Sequence, residues 1–306
     1  MNDWAHHATA ILGKAELKQL SERADAPGLW QLSGHVGLLI VTGAAITWSF
    51  GTLWIWPSML AHGIALIFLF APLHETIHRT AFRGRLLNDA VAFVIGVLLV
   101  LPREYFRAFH FAHHRFTQDS ATDPELSSPK PASVGQLIWH VSGLPYWIAG
   151  FRGLITRARG IAREPFYGTE RLRRAVIVEA RIVLAIYALA LTASAATGST
   201  LLLWYWVIPA LLGQPFLRLY LLAEHSACPR SDNMLENSRT TYTNPLMRFL
   251  TWNMPFHAEH HAWPSVPFHA LPRANALIRD RLRTTAPGYA AALRDIWQAM
   301  RAGKRL

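Results

Sequence analysis

Histidines gathered in three short boxes are the feature of this chain most able to do chemistry. The boxes read HETIH at 74–78, HFAHH at 110–114 and HAEHH at 257–261, and they hold eight of the chain's 15 histidines. A neutral imidazole binds zinc, copper, iron or nickel through one ring nitrogen. The candidate metal ligands are therefore His74, His78, His110, His113, His114, His257, His260 and His261.

The spacing within each box suits one face of a helix, because residues three or four apart lie on the same side. Each box can then direct its rings toward one point. Eight imidazoles that converge on one place exceed the four ligands that a single zinc ion takes. The number of ligands favours two metal ions.

The elements that must position these boxes are long and apolar. No Asp, Glu, Lys or Arg occurs in the 48 residues at 26–73 or in the 36 residues at 182–217. A spanning helix needs roughly 20 apolar residues, so each stretch can hold a hairpin of two helices. The sequence predicts an all-α integral membrane protein with a cytoplasmic helical cap that carries the metal site. Its four transmembrane helices, in two hairpins, are expected near 34–50, 54–73, 176–195 and 201–223.

The charged and aromatic residues predict how the chain is oriented. Both predicted hairpin turns contain Trp, which favours the membrane–water boundary. Neither turn contains Lys or Arg, and all 30 basic residues lie before the first span, at 79–181 or beyond 217. The positive-inside rule then places both termini and all three boxes in the cytoplasm, at what we expect to be a bacterial inner membrane. The net charge of +11 is thus explained by topology and anionic headgroups, without nucleic-acid binding.

The organisation along the chain is expected to be simple. We predict a single domain over 1–306, with a polar cytoplasmic lead-in at 1–30 and a basic cytoplasmic tail at 267–306. The apolar run at 86–101 is short for a span and predicts a buried or re-entrant helix. Only one cysteine, Cys228, is present, which excludes an intramolecular disulfide and a site built from several thiolates.

The first box also fits H-E-x-x-H, the zinc protease motif. In that motif two helical histidines bind zinc and the glutamate, here Glu75, is the general base. A membrane metalloprotease is therefore an alternative. It leaves HFAHH and HAEHH without a role, so it is the less favoured interpretation.

Taken together, the three boxes resemble those of the membrane fatty acid desaturase and hydroxylase superfamily. The resemblance covers roughly residues 72–272, and its second box continues as HFAHHRFT followed by DPEL at 123–126. It also includes AEH at 223–225 and WNMPFHAEHHAWPSVPFHALP around the third box. The second box departs from the H-x3-HH spacing of alkane hydroxylases. The pattern is closer to that of bacterial desaturase-like proteins, some of which oxidise small molecules or carotenoids.

This resemblance implies a non-haem diiron centre that uses O2 and two electrons to attack an unactivated C–H bond. It implies His225, at the end of the last span, as a ninth ligand; the alternative for His225 is a cap on the helix C-terminus. Desaturation of a fatty acyl chain or related lipid is the implied reaction. Hydroxylation or ketolation of a lipid, carotenoid or small molecule is the alternative.

The resemblance also sets expectations about the rest of the site. No catalytic residue beyond the metal site and no organic cofactor are expected. The substrate would approach from the bilayer. A separate electron donor, ferredoxin-like or similar, would be attracted by the basic cytoplasmic face.

Metal-bound imidazoles usually have a partner on the second ring nitrogen. The residues that adjoin clustered histidines and can fill this role are Glu75, Glu224, Glu259, Asp119, Asp123 and Glu125, with Asn253 a weaker candidate. His62 lies twelve residues before His74, which is about 18 Å along a helix. We therefore expect His62 to hydrogen-bond within the helix bundle instead of binding metal.

Overall fold

The computed structural model describes residues 11–304 and 306, and this part of the chain is mostly helical. The first ten residues of the predicted lead-in lie outside it. The first helices are α1 (Lys14–Leu20), α2 (Asp25–Ser49), α3 (Ile55–Ile67), α4 (Phe70–His78), α5 (Arg85–Leu98), α6 (Arg103–Phe116), α7 (Val134–Val141) and α8 (Leu144–Ala158). They are followed by α9 (Glu170–Thr197), α10 (Ile208–His225), α11 (Met234–Asn237), α12 (Pro245–Leu250), α13 (His257–Ala262), α14 (Leu271–Ile278) and α15 (Tyr289–Arg301). Two short parallel strands, β1 (Thr240–Thr241) and β2 (Thr285–Ala286), pair within the C-terminal part.

Four helical segments are long and apolar enough to cross a membrane, which confirms the predicted number. They are Asp25–Ser49, Ile55–His78, Glu170–Thr197 and Leu203–His225, the last of which starts with a π-helical turn. Their ends differ from the predicted ones. The first span begins at Asp25, so 25–30 of the expected lead-in are helical, and α9 begins at Glu170 because the Thr169 side chain caps it by accepting the Leu172 N–H.

The second span is interrupted between α3 and α4. Pro72 has no N–H to donate to the carbonyl of Phe68, and its ring crowds that carbonyl, so the regular ladder cannot continue there. The chain instead makes a tight turn in which Ala71 N–H donates to Phe68 O at 3.0 Å. The consequence is a break in the regular hydrogen-bond ladder just before α4, which carries the first histidine box.

Helices α5 and α6 meet at a bend of 101°, as a broken span or a re-entrant loop would. Pro102 is the N-cap of α6, where its missing N–H costs nothing. The bend turns α6 so that the second histidine box lies next to the end of α4. The prediction of a buried or re-entrant helix at 86–101 agrees with this geometry.

The C-terminal region is a folded part of the molecule, although its sequence suggested a basic tail. Leu271 and Ile278 of α14 belong to the main apolar core, which also includes residues of the spanning helices. Ile296 and Met300 of α15 pack with Leu222 near the end of α10. Only eight of the 40 residues at 267–306 are Lys or Arg, and apolar side chains at helical spacing attach these helices to the core.

Helices α3 and α10 approach each other closely at a pair of glycines. A Cβ atom on Gly63 would collide with the carbonyl of Pro209, and one on Gly213 would collide with the backbone of Gly63. Small residues at such a crossing allow two membrane helices to pack backbone against backbone. This contact brings together the helices that lead to His74, His78 and His225.

Candidate metal centre

Four separate segments deliver histidines to one place in the structure. They are the last turn of the span that ends in α4, the second half of α6, the C-terminus of α10 and the short helix α13. All nine predicted ligands meet there, and every one is buried or part-buried: His74, His78, His110, His113, His114, His225, His257, His260 and His261.

Five of the imidazoles form one compact set, called here the five-histidine group. It consists of His74, His78, His110, His114 and His260, each of which offers a ring nitrogen within 4.8 Å of those of the others. His114 Nε2 lies 2.9 Å from His110 Nε2 and 3.1 Å from His260 Nε2. All three boxes therefore contribute to this group.

A second set lies beside the first. His113, His225 and His261 also offer nitrogens within 4.8 Å of one another. His225 Nε2 is at its centre, 3.1 Å from His113 Nε2 and 2.9 Å from His257 Nε2. With His257 included, we call this set the four-histidine group.

The two groups are in direct contact. The rings of His114 and His261 stack with centroids 4.1 Å apart and planes 14° apart. His113 and His114, neighbours in the sequence, belong to different groups. The second and third boxes thus each serve both groups, which explains why each contains adjacent histidines.

The distances between the nitrogens fit metal coordination. Two nitrogens that lie about 2.1 Å from one ion, at right angles to each other, are about 3.0 Å apart. The buried nitrogens without a hydrogen-bond partner among the described residues include both ring nitrogens of His74, together with His78 Nε2 and His261 Nε2. Buried polar atoms without a partner are costly, by about 1–3 kcal/mol each, and a metal ion at each group would satisfy one nitrogen of each ligating ring.

The electrostatics of the third box favour the neutral, ligating form of imidazole. Burial, and next the charges of neighbouring histidines, hold the pKa values of His257, His260 and His261 well below 6.5. A neutral ring keeps one nitrogen lone pair free to bind a metal ion. The site can therefore accept cations near neutral pH without first releasing protons from this box.

The four-histidine group has fixed partners for its Nδ1 atoms. His113 Nδ1 lies 3.0 Å from Asp123 Oδ1, and His225 Nδ1 lies 3.2 Å from the Asn237 carbonyl oxygen. The Thr117 hydroxyl donates to the His113 carbonyl, so its oxygen is free to accept from His261 Nδ1 at 3.2 Å. These contacts place the protons on Nδ1 and leave Nε2 for a metal ion.

Only some of the expected carboxylate partners contact a ring. Asp123 does, and Glu224 Oε1 lies 3.4 Å from His257 Nδ1. Glu259 instead accepts from the Thr240 hydroxyl and the Asn275 amide, which ties α13 to β1 and α14. The remaining candidates, Asp119, Glu125, Asn253 and Glu75, make no hydrogen bond with a histidine ring among the described residues.

His62 has the role that the sequence predicted for it. His62 hydrogen-bonds inside the bundle, with its Nδ1 2.9 Å from Thr42 Oγ1 and its Nε2 3.2 Å from the Tyr205 carbonyl, as predicted.

Glu75 belongs to neither group, and its Oε1 accepts the Phe268 backbone N–H at 3.0 Å. This position gives no support to the zinc protease alternative, in which Glu75 must serve as the base beside the metal.

Two partners of the rings were not predicted from the sequence. Thr117 could have been noticed, since it follows His113 by one helical turn, just beyond the second box. Asn237 could not, because it acts through its backbone carbonyl, which every residue type possesses.

A cavity of about 350 Å³ opens beside the histidines. Its lining includes His74, His110, His113 and His257, together with Arg218. The cavity gives a small molecule access to both groups.

Comparison with known proteins agrees with this geometry. The sequence profile of a family described as fatty acid desaturase matches residues 30–292. The chain is 23% identical to the beta-carotene 4-ketolase of Protosiphon botryoides, over 76% of this chain and 57% of the ketolase. It is 22% identical to the sphingolipid delta(4)-desaturase of Komagataella phaffii, over 69% of this chain and 58% of that enzyme. It is also 24% identical to the dihydrorhizobitoxine desaturase of Bradyrhizobium elkanii, over 71% of this chain and 64% of that protein. The matches thus span less than two thirds of the length of these three relatives.

Proposed function

The chain belongs to the fatty acid desaturase family, and on that premise we propose that it is a membrane-bound diiron oxidoreductase. It would use O2 and two electrons to desaturate a fatty acyl chain or a related lipid. One observation carries the proposal above all others: nine imidazoles from four segments lie in two adjoining groups.

The proposed ligand sets correspond to the two groups. His74, His78, His110, His114 and His260 hold one iron ion, and His113, His225, His257 and His261 hold the other. When bound, the pair supplies the O2 activation that removal of hydrogen from an unactivated carbon requires. Burial keeps the imidazoles of the third box neutral, and Asp123, Thr117 and the Asn237 carbonyl fix tautomers in the four-histidine group.

We further propose that the site and both termini face the cytoplasm at a bacterial inner membrane. The location of all 30 basic residues outside the predicted hairpin turns supports this orientation. Electrons would come from a separate ferredoxin-like donor. The net charge of +11 would speed its association if the donor is acidic.

Hydroxylation or ketolation on the same scaffold is the second candidate. The similarity to a beta-carotene 4-ketolase supports this second candidate. Both reactions can begin with removal of the same hydrogen and differ in the fate of the substrate radical, so ligand positions do not separate them.

Mass spectrometry of lipids from cells that express the protein with a matched electron donor tests the proposal. We expect a product lighter than its precursor by two hydrogen atoms, and no product with the His260→Ala variant. A product heavier by one oxygen atom would favour hydroxylation. Iron-loaded protein that consumes no O2 when reductant and extracted lipids are supplied would refute the proposal.

A further inference from the structure

The cavity beside the histidines has a polar wall that metal ligation does not explain. Besides His74, His110 and His257 it is lined by Arg218, Lys130 and Tyr146. A site built only for a hydrocarbon chain has no use for two cationic side chains.

Arg218 is the unusual member of this wall. It lies on α10, seven residues before His225, with its guanidinium carbon 4.7 Å from the centre of the Tyr146 ring. Its Nε is buried without a hydrogen-bond partner, and the guanidinium makes no hydrogen bond or ion pair with another described residue. Arg107, by comparison, donates to the Asp89 carboxylate at 2.7 Å.

Two carboxylates, Glu224 and Glu125, also line the cavity. Glu224 Oε1 lies 3.4 Å from His257 Nδ1, and Glu125 Oε1 lies 3.9 Å from His113 Nε2. Both affect Arg218 electrostatically, but neither forms an ion pair with it. The planar fork of a guanidinium, with five N–H donors, matches a carboxylate in a bidentate pair.

The half-buried His140 also lines the cavity, near the two cations. Burial first, and then the charges of Arg218 and Lys130, lower the pKa of His140 to about 4. His140 is therefore neutral near pH 7, and the positive charge of the wall belongs to the arginine and the lysine.

We propose that the cavity binds its substrate through a carboxylate that pairs with Arg218, so that the substrate is an acid held beside the metal groups. This inference rests on the proposed oxidoreductase function and deepens it. A volume of about 350 Å³ is near the lower end of the range for small-molecule sites, roughly 300–1,000 Å³. Arg218 lines the same cavity as His74, His110 and His257, so the carboxylate and the reacting carbon would lie in one cavity.

Ligand-induced thermal stabilisation of the iron-loaded protein in nanodiscs tests the inference, with decanoate, decyl phosphate and decanol as probes. Decanoate should bind the wild type, and Arg218→Gln should bind it about 10- to 100-fold more weakly. Arg218→Lys should restore binding only partly, since an ammonium lacks the fork. Decanol should not distinguish wild type from Arg218→Gln.

Arg181→Gln is the matched control, because Arg181 is exposed on α9 and donates to the Ala158 carbonyl. It should bind decanoate as the wild type does. Equal decanoate binding by wild type and Arg218→Gln would overturn the inference. Stronger binding of decyl phosphate than of decanoate, lost in Arg218→Gln, would overturn the carboxylate assignment in favour of a phosphate.

Iron content measured on the same samples separates this inference from the proposed function. Normal iron with decanoate binding that does not depend on Arg218 removes the carboxylate site and leaves the oxidoreductase proposal intact. Wild-type protein that cannot be loaded with iron removes the oxidoreductase proposal, and the inference that rests on it.

Discussion

At the residue scale, three different kinds of acceptor group fix the same ring tautomer in the four-histidine group. A carboxylate at Asp123, a hydroxyl at Thr117 and a backbone carbonyl at Asn237 each accept from an Nδ1 atom. The three Nε2 atoms are left unprotonated as a result. Ring tautomer is thus set by the surrounding structure, which the ligand spacing alone does not reveal.

The Asp123 carboxylate is expected to matter although it does not face a metal ion. Asp123→Asn removes the charge that fixes His113 Nδ1, and we expect iron affinity or turnover to fall about 10- to 100-fold. The same substitution at Asp119 is the control, because that exposed carboxylate binds only its own loop through Ala121 and Thr122. Equal iron content and turnover in both variants would contradict the positioning role of Asp123.

His260 and His62 give a second pair with opposite expectations. His260→Ala removes a nitrogen from the five-histidine group, so metal analysis should show loss of bound iron and no turnover. His62→Ala breaks two bundle contacts, to Thr42 and Tyr205, and should lower stability by about 1–3 kcal/mol while iron is retained. Loss of iron in His62→Ala would show that the two regions are not independent.

The residues of the centre were predictable to different degrees. The box histidines are recognisable by type and spacing, and His62 could be set aside by helix geometry alone. His225 is a single histidine, and only the family resemblance pointed to it. Asn237 could not be predicted from the sequence, because a backbone carbonyl that acts through tertiary packing has no sequence signature.

At the element scale, the crossing of α3 and α10 at Gly63 and Gly213 is the contact that fixes the relative position of two ligand-bearing spans. Hydropathy predicted that these helices exist. It did not predict their crossing, which depends on which faces meet. It also misplaced helix ends, since caps such as Thr169 decide where a helix begins.

Gly213→Ala should therefore destabilise the protein by about 1–3 kcal/mol, because the added methyl group meets backbone atoms that cannot give way. Thermal unfolding in detergent measures the effect. Gly37→Ala, on α2, is the matched control, since nothing lies within 4 Å of the added Cβ. It should be neutral or slightly stabilising, because alanine is the better helix former. A Gly213→Ala protein as stable as Gly37→Ala would contradict the close crossing.

At the scale of the whole molecule, the chain belongs to the family that the three boxes resembled, and the predicted count of four spans is confirmed. The C-terminal region, predicted as a basic tail, is largely helical in the structure. Its helices α14 and α15 pack in apolar clusters, and Asn275 of α14 helps to hold α13 in place by donating to Glu259. The arginine-rich composition of the C-terminal region did not indicate this role.

The buried imidazoles predict how the metal-free protein responds to pH. The folded-state pKa values of His257, His260 and His261 lie well below 6.5, whereas the unfolded chain takes up protons near that value. Below about pH 6.5 the unfolded state therefore binds more protons, and the free energy of unfolding falls as pH decreases. Thermal unfolding of the metal-free protein should show this loss between about pH 7 and pH 5. A stability that is constant or rises over that range would contradict the burial of neutral rings.

The number of iron ions in the purified protein tests the central claim most directly. Metal analysis by mass spectrometry should find about two irons per chain, one for each histidine group, and His62→Ala should match the wild type. One zinc ion per chain without iron, or an iron content unchanged by His260→Ala, would contradict a centre built from these nine imidazoles.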